Sequence, residues 1–270
     1  MRNWLWLCPS VMVGFAAAVL MVWGLSVWTS IIIALLLVCP VIILWGLIKT
    51  IRYPSNLPLE PFPKTRGMTL NWLAPFYDRW CPGIGLGLPF RLETLRHAAL
   101  RSGDRVLDVG CGTGVLTRLA AETVGMTGEV IGVDPAPKMI AVARANATRA
   151  GSRAQFRPAV IEGLPFEDGR FDVVLSSLML HHLPPDVKQA GVEEVYRVLK
   201  PGGRFVVVDF DCSQANPFYR FLGWPLRLIP MLRDHAAGRL EPYFRRAGFQ
   251  PVKAAGPWGG FVGFYLASNP

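Results

Sequence analysis

Hydrophobic positions follow two regimes along this chain. From Asn3 to Ile48, 46 positions, no charged residue occurs, whereas the remainder alternates short apolar runs with segments of helical spacing. A helix needs about 20 apolar residues to cross a bilayer, so the first run predicts two spanning helices. Their turn falls near Ser26–Ser30, where Ser26, Thr29 and Ser30 are the densest polar cluster. Trp4, Trp6, Trp28 and Trp45 stand near the expected helix ends, where indole rings anchor at the interface. The run is too long for a cleavable signal peptide and ends on Lys49 and Arg52; a buried helical pair of a soluble protein is the alternative. Arg2 precedes the run, Lys49, Arg52, Lys64 and Arg66 follow it, and the turn has no charge, which places both ends on the cytoplasmic side. The expected organisation is a transmembrane hairpin over 1–52, a linker over 53–69 carrying Pro54, Pro58, Pro61 and Pro63, and a cytoplasmic domain over 70–270.

In the domain, strands are expected at Arg105–Val109, Val130–Val133, Asp172–Leu175, Phe205–Asp209 and Phe261–Ala267. Helices are expected at Val115–Thr123, about 139–149, Val187–Leu199 and Leu240–Ala247. This alternation predicts an α/β fold with a doubly wound, mostly parallel sheet of seven strands, binding its ligand at the carboxyl ends of the strands.

Composition supports the division. Hydrophobic residues are 51% and charged residues 17% of the chain, too apolar for disorder and consistent with a part that is not in water. The net charge of +9 suits an anionic partner, a membrane surface or a nucleic acid. Five cysteines (Cys8, Cys39, Cys81, Cys111, Cys212) without C-x-x-C spacing argue against a disulfide framework and a zinc site.

The candidate chemistry begins where the first strand meets Gly110-Cys111-Gly112-Thr113-Gly114. Glycines there let the backbone turn sharply and approach a ligand. The dinucleotide fingerprint would need a glycine at 115, where the chain has Val115. Asp134, at the end of the second strand, can accept both hydrogen bonds of a ribose diol, and Asp108 would repel a pyrophosphate but suit a cation. The two acids point to a positively charged, adenosine-containing cofactor.

Val106-Leu107-Asp108-Val109-Gly110-Cys111-Gly112-Thr113-Gly114 resembles motif I of class I S-adenosylmethionine (SAM) methyltransferases. Gly132-Val133-Asp134, Glu162-Gly163-Leu164-Pro165-Phe166, Phe171-Asp172-Val173-Val174 and Leu199-Lys200-Pro201-Gly202-Gly203-Arg204 resemble its later motifs, in order. The likeness spans roughly 70–267 and is closest to the group that methylates ubiquinone and menaquinone precursors. It implies that Asp108 and the loop of Gly110, Cys111, Gly112 and Gly114 surround the methionine end of SAM. Asp134 would hold the ribose, with Pro135 beside it, and Met139 would lie against the adenine or serve as a helix core residue. Ser176 would face the methionine or the substrate, and Tyr77 would close over the cofactor or pack its own helix. Many relatives carry an acid two residues before Glu162 to bind the adenine amine. Here that position is Val160, so Ile161 backbone groups or the Glu162 side chain would serve.

His181, His182 and Asp209 follow the fourth and fifth strands and are the candidate catalytic residues, as general bases, substrate-orienting groups or structural supports. The insertion over 212–240 interleaves apolar residues with Arg220, Arg227 and Arg233, which suits either a lid over the pocket or a membrane surface. The expected activity is methyl transfer to a lipophilic acceptor, a quinone precursor or phospholipid amine, by a membrane-held enzyme. S-methylation of a small thiol and an inactive SAM-fold scaffold are the alternatives. Nucleic acid and metal are not expected as partners.

Overall fold

The computed structural model describes residues 62–71, 73, 74, 76–211, 228–250 and 252–270. The expected hairpin therefore lies outside the described residues, among which no helix is long and apolar enough to cross a membrane. Two short turns, α1 (Tyr77–Trp80) and a 3-10 turn over Cys81–Ile84, lead into α2 (Leu88–Ala98). The order then runs β1 (Arg105–Val109), α3 (Val115–Val124), β2 (Glu129–Asp134), α4 (Pro137–Arg149), β3 (Gln155–Pro158) and β4 (Phe171–Ser177). It ends with α5 (Pro185–Val198), β5 (Leu199–Phe210), α6 (Pro230–Ala236), α7 (Glu241–Ala247), β6 (Val252–Trp258) and β7 (Val262–Ser268).

The seven strands form one sheet in the order β3-β2-β1-β4-β5-β7-β6. β1 to β5 pair in parallel, whereas β7 lies antiparallel to both β5 and β6, so a single strand opposes the other six. The sheet is the doubly wound, mostly parallel one expected, with β7 as its antiparallel member. Sequence pattern missed β3, where Gln155 and Arg157 are exposed and Pro158 ends the strand, and β6, whose Lys253, Ala254 and Gly256 carry little strand propensity. It also missed α1, α2 and α6.

Pleat alternation sorts the strand residues between two faces. Val106, Val173, Leu175 and Val206 point toward Leu95 of α2 and Leu116, Ala120 and Val124 of α3. Leu107, Val109, Val174, Phe205 and Val207 point toward Val192 and Val195 of α5 and Phe244 of α7. Each of these apolar side chains is almost completely buried, an environment worth roughly 1.5–3 kcal/mol for each Val, Leu or Phe. The same alternation aims Asp108 and Ser177 at the α2/α3 face and Ser176 and Asp209 at the other.

Candidate active site

Beyond the carboxyl ends of β1, β2 and β4 lies a cleft in two adjoining parts that share Tyr77, Gly110, Gly112 and Ser177. The glycine loop makes its floor. Gly110 has φ +71°, and a Cβ there would stand 2.2 Å from Met179 Cγ, so no side chain is tolerated. Gly114, at φ +78°, packs against Phe156 and Ala143 behind the loop and does not line the cleft. Asp78 ties α1 over the loop by accepting hydrogen bonds from Thr113 Oγ1 (2.5 Å) and Asn146 Nδ2 (3.2 Å).

One part of the cleft holds Asp134, Pro135, Met139, Ile161 and Glu162. Asp134 accepts N–H groups from Gly112 (3.0 Å) and Ala136 (2.8 Å), one on each carboxylate oxygen. A carboxylate offers about four acceptor sites, so both oxygens retain capacity for a diol. Burial raises its pKa to about 6, against the pull of those two N–H groups. Glu162 accepts Thr65 Oγ1 at 3.0 Å on Oε1, while Oε2 is buried without a partner. An unpaired buried oxygen is costly and fits an N–H donor of a ligand, such as the amine of an adenine. Val160 lines the wall beside it and Val133 lies below.

The far wall comes from the end of the proline-rich segment. Thr65, Gly67, Met68, Thr69 and Leu70 line the cleft, held by the Met68 N–H to His182 carbonyl bond (2.9 Å) and the Arg66–Asp186 ion pair. The pattern of prolines predicts an extended path but gives no sign of this packing.

The other part is polar. It is lined by Tyr77, Arg91, Asp108, Cys111, Thr113 and Ser177. Asp108 accepts Thr117 Oγ1 at 2.6 Å, and burial raises its pKa to about 6, opposed by that bond and by Arg91. Arg91 is 8% exposed; it donates from Nη1 to Ser177 Oγ (3.2 Å) and also pairs with the Tyr77 hydroxyl. A guanidinium has five N–H donors, so this pocket has a cationic wall facing an anionic one. A zwitterion such as an amino-acid end fits between them: carboxylate to Arg91, ammonium to Asp108. Burial pushes the Tyr77 phenol up to about 12 and keeps it neutral.

Of the remaining expected site residues, Ser176 is buried outside the lining with Oγ unpartnered, and Ser177 takes the wall position because the pleat turns it toward α2. His182 lines the cleft; its ring sits 3.9 Å from that of His181, and burial lowers its pKa to about 4, helped by His181. His181 and Asp209 lie behind it. His181 Nδ1 stands 2.6 Å from Asp209 Oδ1, and the backbone N–H groups of Phe210 (2.7 Å) and His181 (3.3 Å) also reach that carboxylate. Burial works against ionisation of Asp209, but the His181 contact and these bonds hold its pKa below the usual carboxylate range. His235 of α6 packs on the same carboxylate at 3.7 Å. Among the described residues no group of three or more His, Cys, Asp or Glu side chains is arranged to hold a metal ion.

Residues 106–203 match the methyltransferase domain family. Over 214 residues the chain is 40% identical to the ubiquinone/menaquinone biosynthesis C-methyltransferase UbiE of Ectopseudomonas mendocina, covering 69% of this chain and 80% of that protein. The chain belongs to the class I SAM-dependent methyltransferases. The methyltransferase is also 41% identical over 137 residues to an arsenite methyltransferase of Halobacterium salinarum, covering half of this chain and a third of that protein. Its fold matches phosphoethanolamine N-methyltransferase 2 of Haemonchus contortus, solved with phosphomonomethylethanolamine and S-adenosylhomocysteine (TM-score 0.54, 18% identity, 68% of this chain and 53% of that one). SAM is the cofactor, and the cleft has features that suit it: an open glycine floor, the Asp134 carboxylate with spare acceptor capacity, the orphan Glu162 Oε2 and the opposed charges of Arg91 and Asp108.

Sequence reasoning missed Arg91, Ser177 and the Thr65–Leu70 wall. Arg91 had a usable signal. Arg91, Thr94, Leu95 and Ala98 form the buried i, i+3, i+4, i+7 stripe of α2, and one member is charged.

Proposed function

We propose that this enzyme is held at the cytoplasmic face of a membrane and methylates a lipophilic small acceptor, with a quinone precursor as the leading class. The observation that carries the acceptor chemistry is the buried Asp209–His181 pair behind the cleft-lining His182. SAM supplies a methyl group already activated by a sulfonium. Methylating a hydroquinone ring or a phenol requires that a hydroxyl proton leave the acceptor as it attacks. His182 is neutral near pH 7 and stands at the wall, able to orient such a hydroxyl. His182, the ring at the wall, is the group that can accept the proton; the ionised Asp209 behind it favours the imidazolium that forms and holds the neighbouring His181 ring through Nδ1. The Thr65–Leu70 wall and Tyr77 exclude water from the cleft.

The anchor reading rests on the 46 uncharged positions from Asn3 to Ile48 and the flanking Lys49 and Arg52. The quinone class is supported by the C-methyltransferase relative, which is matched over 80% of its length. The soft-nucleophile reading has the arsenite-methylating relative in its favour. A competition assay tests the choice: a prenylated hydroquinone and a small thiol are offered together, and methylated products are quantified by mass. The methyl group on the hydroquinone supports the proposal; the methyl group on the thiol overturns it.

A further inference from the structure

Large apolar side chains that are exposed in this domain are not scattered. Trp80 (55% exposed), Ile84 (41%), Leu88 (55%) and Leu92 (50%) follow one another at four-residue intervals, and Leu228 (70%) and Ile229 (45%) open α6. The Leu86 N–H to Cys81 carbonyl bond closes the turn between them, and Gly87 packs on Pro82, which brings the 3-10 turn against the start of α2. Two contacts fix the end of the domain to which they belong. Arg91, in the first turn of α2, reaches Ser177 at the carboxyl end of β4, whereas Arg204, near the amino ends of the strands, donates to the carbonyl of Ala98 at the other end of the helix. α6 packs beside the His181–Asp209 pair, also at the carboxyl edge. Apolar exposure is thus concentrated on the side where the cleft opens, with Met126 the large exception at the amino edge. Isolated exposed apolar residues are ordinary, but a contiguous set marks an interaction surface.

We propose that this carboxyl-edge surface docks on a lipid bilayer, so that the cleft opens toward the acyl region from which a lipophilic acceptor enters. The inference rests on the membrane-anchor reading above and specifies which face meets the lipid. A bilayer is the occupant favoured by two features. The chain that precedes this surface carries the 46-residue uncharged run, ending fewer than thirty residues before Tyr77. The exposed cations Arg79 and Arg233 lie on α1 and α6, and Lys64 on the segment before the cleft wall, a pairing of apolar and basic groups that suits anionic headgroups; of the nearby exposed acids, Asp186 is paired with Arg66 and Asp78 accepts from Thr113 and Asn146. Trp80 has the amphipathic ring that settles at the headgroup level.

The test uses the full chain reconstituted in vesicles of mixed neutral and anionic phospholipid, with a photocrosslinking amino acid placed singly at 84, 88, 92 or 126. Lipid adducts at 84, 88 and 92, with background yield at 126, are the expected result. Crosslinks to a second copy, crosslinks to another protein when native membranes are used, or equal yields at all four positions would each overturn the proposal. A second variant, Ile84→Glu with Leu88→Glu, changes exposed residues only. It should keep SAM binding and thermal stability while losing the lipid adduct at 92, and an undiminished adduct would also refute the assignment. Resistance to alkaline carbonate extraction reads the anchor separately. A protein that resists extraction without lipid adducts leaves the anchor standing and removes the docking face.

Discussion

Replacing Arg91 with methionine removes the cationic wall of the amino-acid pocket while keeping the apolar stem that packs in α2. Arg91 is buried beside Ser177 and Tyr77 and carries five N–H donors, more than those two side chains use, so it can also meet the cofactor carboxylate. A hydrogen bond to a charged partner contributes about 1.5–3 kcal/mol. At about 1.4 kcal/mol per decade, SAM should bind roughly ten- to 150-fold more weakly. A further effect has the same sign. Arg91 opposes the burial that raises Asp108, so without it the Asp108 carboxyl, already near pKa 6, moves closer to neutrality at working pH and holds an ammonium less well. Isothermal titration should compare SAM, S-adenosylhomocysteine and 5′-methylthioadenosine. The first two carry the amino-acid end and should lose affinity together; the third lacks it and should bind the variant as it binds the parent. Equal losses for all three would show a damaged fold, and unchanged SAM affinity would remove the zwitterion assignment.

Three further outcomes follow from the site. His182→Gln should lower turnover roughly 100- to 10,000-fold, the range for a lost general base, and Asp209→Asn should lower it in the same direction while leaving SAM affinity within about twofold; a single-turnover assay with the hydroquinone acceptor checks both. SAM affinity should fall as pH drops through about 6, by up to about tenfold per unit for each carboxyl, because Asp108 and Asp134 titrate there and their protonated forms lose acceptor capacity. The contribution of these two groups to ligand-free stability has the opposite sign: their folded pKa values exceed the unfolded ones, so they favour the fold as pH falls from about 6 toward 4. Affinities measured at pH 7.5 and 5 test the first statement. Gly110→Ala should abolish measurable SAM binding, since φ +71° costs an L-residue about 1–2 kcal/mol and the new Cβ meets Met179; retained binding would mean the loop is not the cofactor floor.

Much of the fold was legible because its signals are local. Short, nearly continuous apolar runs such as Val106 to Val109 and Val173 to Leu175 place the inner strands, buried on both faces, and glycines at 110, 112 and 114 mark the turn beneath the cofactor. β3 and β6 escaped because edge strands bury little and carry polar or small residues. Asp108 and Asp134 could be read because strand ends fix where a carboxylate stands. The wall from Thr65 to Leu70 could not, since its place depends on contacts with Glu162 and His182, about a hundred residues away. Ser176 and Ser177 differ only by the pleat: both lie at the same strand end, and knowing which face α2 covers decides between them. The pairing of His181 with Asp209 joins the turn after β4 to the end of β5, a proximity set by β4 and β5 lying side by side in the sheet.

The central claim is methyl transfer to a lipophilic acceptor, and one measurement addresses it directly. Protein in native membranes is given SAM with a radiolabelled methyl group, and the products are partitioned between organic solvent and water. The account predicts label in the organic phase, migrating with a quinone-like lipid and strongly reduced with the His182→Gln variant. Label confined to an aqueous or volatile product would contradict it and assign the enzyme to a small soft nucleophile.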